Sequence, residues 1–188
     1  MKKSKKKQME RWPSLVVDTC VAKSAGGVEA TALEGKYCRD CLDTILKGKF
    51  KVAMSKGIFE EWMKHPSNKA ISWLTAMRSS GRVRDIFLPN KSVKTRKEIE
   101  RESIKSKREA MKKDTILIEA ALATDKRIIS KDKEARELFH KLSNPAKELR
   151  EIYWAHVMCP ECIEWLKDNA CSEKKWDALR LETPLSVA

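Results

Sequence analysis

Acidic side chains at the borders of apolar segments are the residues of this chain best suited to chemistry. Asp18 closes the run Leu15-Val16-Val17, and Glu61 follows the strand-like Phe50 to Met54. Asp114 precedes the apolar stretch Ile116 to Ala123, and Asp132 lies just past Ile128-Ile129. In an open α/β sheet the carboxyl ends of the strands share one rim, so acids far apart in sequence can converge there. Carboxylates gathered in this way suit a hard divalent cation such as Mg²⁺ or Mn²⁺. Such ions activate water and stabilise a leaving oxygen, which is the chemistry of phosphodiester hydrolysis. Asp18 and Asp114 are the strongest candidate ligands, with Glu61 and Asp132 completing the site directly or through water. Thr19 and Ser130 are placed to orient a carboxylate or a water. The plainer alternative is that each acid is a helix cap or a solvated charge. For Asp114 alone, ahead of an apolar helix, the cap reading is as good as the ligand reading.

Neighbouring acids compete for these roles. Glu60 points about 100° away from Glu61 on a helix, so only one of them can face the rim. The spacing from Ser55 favours Glu61. Glu119 reads as solvent-facing, although a fifth acid at the site is the alternative, and Asp125 reads as a surface turn.

The elements that must position these groups follow from hydrophobic periodicity. Leu15 to Val17 has the continuous apolar character of a buried parallel strand. Leu33, Tyr37, Cys41 and Ile45 recur at helical spacing until Gly48. Phe50 to Met54 reads as a second strand, and Ser55 as the cap of a helix carrying Ile58, Phe59 and Trp62 that ends near Pro66. Ser67 or Asn68 starts another helix that closes at Ser79-Ser80-Gly81. Val83 to Leu88 alternates like a short strand, broken by Pro89-Asn90. Lys91 to Lys113 is nearly all charged and is either a solvated helix or a mobile loop. Asp114 then caps an apolar helix, Arg127 to Ser130 is a strand, and Lys133 to Leu142 a helix. Ile152 to Val157 reads as the last strand, and Pro160 opens a terminal amphipathic helix. Strands and helices alternating over short connections predict a three-layer α/β/α fold around a mostly parallel sheet. The expected division is a basic flexible tail over 1–10, a main domain over 11–158, and a helical extension over 159–188 packed on the core.

Charge and length narrow the partners. The 188 residues carry a formal net charge of +13, and 36% of them are charged. A balance this basic favours a polyanion, with nucleic acid ahead of a membrane surface. Lys23, Lys112, Lys113, Lys131 and the stretch Arg96 to Arg108 are candidate phosphate contacts, although any one lysine fits a solvated face as well. No apolar run is long enough to span a bilayer, and the chain reads as cytoplasmic. The six tryptophans are expected mostly in the core.

Four pieces resemble the PIN-domain family of small metal-dependent nucleases. They are Val16-Val17-Asp18-Thr19, then Met54-Ser55 leading to Phe59-Glu60-Glu61-Trp62. Asp114 ahead of Ile118-Glu119-Ala120-Ala121-Leu122-Ala123 is the third, and Ile128-Ile129-Ser130-Lys131-Asp132 the fourth. The resemblance spans roughly Pro13 to Val157. It implies a PIN-like α/β/α fold and an endoribonuclease that cleaves single-stranded or loop RNA with Mg²⁺ or Mn²⁺ at Asp18, Glu61, Asp114 and Asp132. It also implies a toxin of a toxin–antitoxin pair or a defence effector, with an antitoxin or other protein partner and a homodimer as open alternatives. A non-catalytic PIN-like module binding nucleic acid or protein is the competing reading. Three features depart from the family pattern: Cys20 in place of Asn, Lys131 in place of Gly, and the long basic stretch before Asp114.

Two C-x-x-C pairs, Cys38 with Cys41 and Cys159 with Cys162, formally supply a tetrahedral zinc set. Buried thiols in the core are the preferred reading, because Cys38 and Cys41 fall mid-helix by an apolar face. His65, His140 and His156 form no ligand spacing.

Overall fold

A computed structural model describes residues 12–26, 31–64, 67–88 and 93–184. The lysine-rich segment 1–10, His65, Pro66 and the Pro89-Asn90 break lie outside the described residues. The strands are β1 (Ser14–Val17), β2 (Lys51–Ser55), β3 (Val83–Ile86), β4 (Arg127–Ser130) and β5 (Tyr153–His156). They form one sheet in the order β3-β2-β1-β4-β5, every pair parallel. Helices cover both faces, which gives the three-layer α/β/α arrangement. Leu15, Val16, Val17, Val52, Ala53, Ile128, Ile129, Trp154 and Ala155 are all fully buried. Parallel strands need that, since crossover helices cover both of their faces.

Before β3, the helices are α1 (Thr19–Ser24), α2 (Ala32–Lys47), α3 (Lys56–Lys64) and α4 (Asn68–Ser79). After it come α5 (Val93–Glu100), α6 (Lys105–Leu122), α7 (Lys133–Leu142) and α8 (Pro160–Lys167). Their starts are capped locally. Asp18 caps α1, Thr31 and Glu34 form a capping box on α2, Ser67 caps α4 and Asp132 caps α7. Each such cap is worth about 1 kcal/mol. Gly81, at φ 68°, supplies the left-handed residue that turns the chain from α4 into β3.

The charged segment before Asp114 resolves into α5 and the first half of α6. Lys, Arg, Glu, Ala and Met are strong helix formers, and Ile99 and Met111 pin the two helices to the core. Asp114 is therefore no cap: α6 starts at Lys105, more than two turns earlier.

The C-terminal part is built into the same hydrophobic core. Cys162, Trp165, Leu166, Leu179 and Leu181 are buried, and the Leu181 N–H donates to Ile152 O at 2.7 Å. Arg136 on α7, 1% exposed, donates from Nη2 to the carbonyls of Ala178, Arg180 and Thr183 at 3.0–3.4 Å. Four tryptophans, Trp62, Trp73, Trp154 and Trp165, are buried, while Trp12 and Trp176 are partly exposed. No helix among the described residues is long and apolar enough to cross a membrane.

Candidate functional site

The chain runs outward from β1 to β2 and β3, then returns to place β4 on the other side of β1. Such a reversal opens a crevice beyond the carboxyl ends of the two central strands, the usual ligand position in open α/β sheets. A cavity of about 620 Å³ lies there, and Asp18, Glu61, Asp114 and Asp132 all line it. Thr19, Lys23, Lys112 and Lys113 line it as well. The four acids come from the end of β1, from α3, from the middle of α6 and from the head of α7.

Asp18 is held by three donors. Its carboxylate accepts from Cys20 N at 3.2 Å, Cys20 Sγ at 3.1 Å and Ser130 Oγ at 2.7 Å. Ser130, the last residue of β4 and fully buried, also accepts from Asp132 N at 2.9 Å. One hydroxyl thus ties two acids from neighbouring strands. The Asp132 carboxylate in turn accepts from Ala135 N at 2.8 Å. Glu61 lies 2.9 Å from the Lys64 ammonium, whereas Glu60 is exposed, does not line the cavity and sits 3.8 Å from Lys56.

Asp114 is the perturbed member. Burial pushes its carboxyl up to about 7, and the charges of Asp18 and Asp132 add to the shift; Lys113 opposes it, and Glu61 contributes last. Each of the other three acids therefore acts on Asp114 electrostatically. A solvated helix cap does not behave this way. Carboxylates forced together favour the protonated form or a bound cation.

Among the described residues, the one trio of metal-type side chains with ligand atoms within 4.8 Å of one another is Asp168, Cys171 and Glu173. No three of the cavity acids bring their ligand atoms that close together. An all-oxygen donor set is compatible with a cation such as Mg²⁺, which keeps several waters and needs only one or two carboxylates directly. The Asp168 trio is electrostatically complete instead. The Lys175 ammonium lies 2.7 Å from Asp168 and 3.4 Å from Glu173, and Trp176 Nε1 and Cys171 Sγ donate to Asp168 at 2.8 and 3.0 Å.

Lys131 is turned away from the acids. Its ammonium lies 3.5 Å from Glu34, and its backbone N–H donates to Cys20 Sγ. Among the cysteines, Cys38, Cys41 and Cys162 are buried and Cys159 is partly exposed, all as free thiols. Packing of α2 against α8 brings Cys41 into contact with Cys162, and that contact, with burial, raises the Cys41 thiol. His156 bonds to Lys131 O and His140 to Leu181 O.

Two features escaped the sequence reading. Cys20 orients Asp18, and its thiol is raised well above the ordinary value by burial and by the Asp18 charge. Glu119 is not solvent-facing. It is buried on α6, lines the cavity and takes a two-pronged contact from Arg96 at 2.7 and 2.9 Å. The signal was present: a glutamate between Ile118 and Ala120-Ala121 sits in an apolar stripe, where a charge requires a partner. Asp125 is exposed, with its carboxylate accepting from Ser14 N at 2.8 Å. No protein-family model matches this chain, and no curated protein or solved structure matches it.

Proposed function

We propose that the cavity is a divalent-cation-dependent nuclease site that hydrolyses RNA phosphodiester bonds, as the PIN-like residue pattern implies. The observation that carries this reading is Asp114. It is an aspartate in the interior of a helix, with no capping role, its carboxyl pushed up to about 7 first by burial and then by acids from three other elements. Aspartate is a poor residue for a helix interior, and like-charge crowding adds to the cost. Such a position is characteristic of function rather than packing.

Asp18 and Asp114 would hold Mg²⁺ or Mn²⁺, with Glu61 and Asp132 as direct or water-mediated ligands. The cation, when bound, neutralises phosphate charge and activates water. The protein's own groups do the rest. Ser130 and Cys20 fix the Asp18 carboxylate, and Ser130 links it to the backbone of Asp132. Thr19 lines the cavity at the start of α1. Lys23, Lys112 and Lys113 supply the positive field that draws a polyanion toward the acids. RNA rather than DNA, a toxin or defence role, an antitoxin partner and a homodimer all rest on the resemblance alone.

The test is cleavage of a labelled single-stranded RNA with Mg²⁺ or Mn²⁺, against an EDTA control and a DNA of the same sequence. Cation-dependent cutting of RNA supports the reading. Binding without cutting at any cation concentration replaces it with the non-catalytic binding module.

A further inference from the structure

The Arg96–Glu119 pair lies in the same cavity as the acids, yet the cation reading gives it no task. The Glu119 side chain is 5% exposed and the Arg96 side chain 36%. Arg96 Nε and Nη2 each donate to one carboxylate oxygen, so two prongs of the guanidinium are fixed. Nη1 has no hydrogen bond among the described residues, and the group remains open to the cavity. A buried ion pair adds little to stability compared with apolar residues of the same volume. What this geometry does provide is an arginine held rigid by a buried carboxylate, with its free edge in the crevice that Lys23, Lys112 and Lys113 also line.

We propose that Arg96 is the phosphate contact of this cavity, positioned by Glu119, and that it holds the phosphodiester adjacent to the one facing the acids. This rests on the nucleic-acid reading above. Asp114 and Glu119 both project from α6, five residues apart, which is about 7.5 Å along the helix axis. Five residues also turn the helix by about 140°, so the two side chains serve different parts of the cavity that both line. Arginine suits the task better than lysine, since its planar fork can bind a carboxylate with one edge and a phosphate with the other. Lys112 and Lys113 are point charges nearby, and Lys112 is already shared between Glu100 and Glu109 at 3.0 and 3.4 Å.

The experiment measures binding alone. A fluorescent single-stranded RNA is titrated with the full chain in EDTA across a series of salt concentrations. The double variant Arg96→Gln/Glu119→Gln leaves the net charge unchanged and removes both partners of the pair together. It is expected to keep its melting temperature and to bind about 10-fold more weakly, with the salt slope reduced by roughly 0.7, the loss of one phosphate contact on a single strand. Arg96→Lys preserves the pairing with Glu119 and is expected to lose several-fold in affinity. A folded double variant that binds with wild-type affinity and slope overturns the proposal. If the double variant does not fold, wild-type binding by Arg96→Lys overturns it instead. Arg96-dependent binding by a protein that cuts nothing would sink the nuclease reading and leave this one standing. Cation-dependent cutting with Arg96-independent binding would do the reverse.

Discussion

Asp114 and Asp168 are both partly exposed aspartates with other potential metal ligands nearby, and their surroundings act on them in opposite directions. Asp168 has donors on every side. Lys175 first, then Cys171 and Trp176, hold its carboxyl well below the usual carboxylate range. Asp114 has burial and three acids, and its carboxyl rises to about 7. Proximity of ligand atoms alone would select the Asp168 trio, the tighter one, whereas electrostatics favours the cavity. An acid whose lone pairs are already engaged has no use for a cation, whereas an acid crowded by its own kind is stabilised by one.

The largest expected effect that separates the two is on cutting. Asp114→Asn or Asp18→Asn should lower cation-dependent RNA cleavage by about 100-fold or more while RNA binding persists. Asp168→Asn should leave the cleavage rate within about twofold of wild type. Equal losses at both positions, measured on the same labelled RNA, would erase the distinction.

Cation binding to the folded state should raise the melting temperature. Stabilisation grows as the logarithm of occupancy and reaches about 2.7 kcal/mol at one hundred times Kd, which is roughly 5–10 °C for a chain of this size. Asp114→Asn should abolish that shift, and Asp168→Asn should retain it. A thermal melt with millimolar Mn²⁺ in which all three proteins behave alike would move the cation away from the cavity.

The two acids should also differ in how stability responds to pH. The folded value of Asp114 lies above its unfolded value of 3.8. Between about pH 4 and pH 7 the unfolded state therefore loses its proton first, and cation-free stability falls as pH rises, levelling off above 7. The contribution is on the order of a few kcal/mol. Asp114→Asn should flatten this slope and melt several degrees above wild type at pH 8 without cation. Asp168 has the opposite sign. Its folded value is depressed, so its contribution is present above the ordinary aspartate value and is lost as pH falls through and below it. Asp168→Asn should thus cost stability at neutral pH and little in acid, the smallest of these effects, since the group is exposed at the surface. Melting curves of both variants from pH 3 to 8 check the two signs together.

The acids of the cavity were legible in the residues, whereas the Asp168 trio was not singled out. Continuous apolar runs at Leu15 to Val17 and Ile128-Ile129 mark strands buried on both faces, and the acid after each run lies on the common rim. Helical angle lets only one of Glu60 and Glu61 face the rim, and the spacing from Ser55 together with the family resemblance picks Glu61. The context of Asp114 was harder to read. A dense run of lysines and glutamates looks solvated in one dimension, and only the packing of Ile99 and Met111 shows it to be helix laid on the core. The Arg96–Glu119 pair spans 23 positions, and local periodicity carries no information about which distant cation answers a buried glutamate. The order β3-β2-β1-β4-β5, which creates the crevice, is likewise a property of long-range pairing.

Arg136 adds a mechanical consequence. The same helix that carries Asp132 as its N-cap grips the segment from Ala178 to Thr183 through one desolvated guanidinium. Trimming the chain ahead of Ala178 would remove the three carbonyl oxygens that Nη2 binds, leaving only the Nε contact to Trp154 O, and loosen the helix from behind. A cut or an insertion ahead of Ala178 thereby gains leverage over the geometry of the acid-lined rim, without ever touching it.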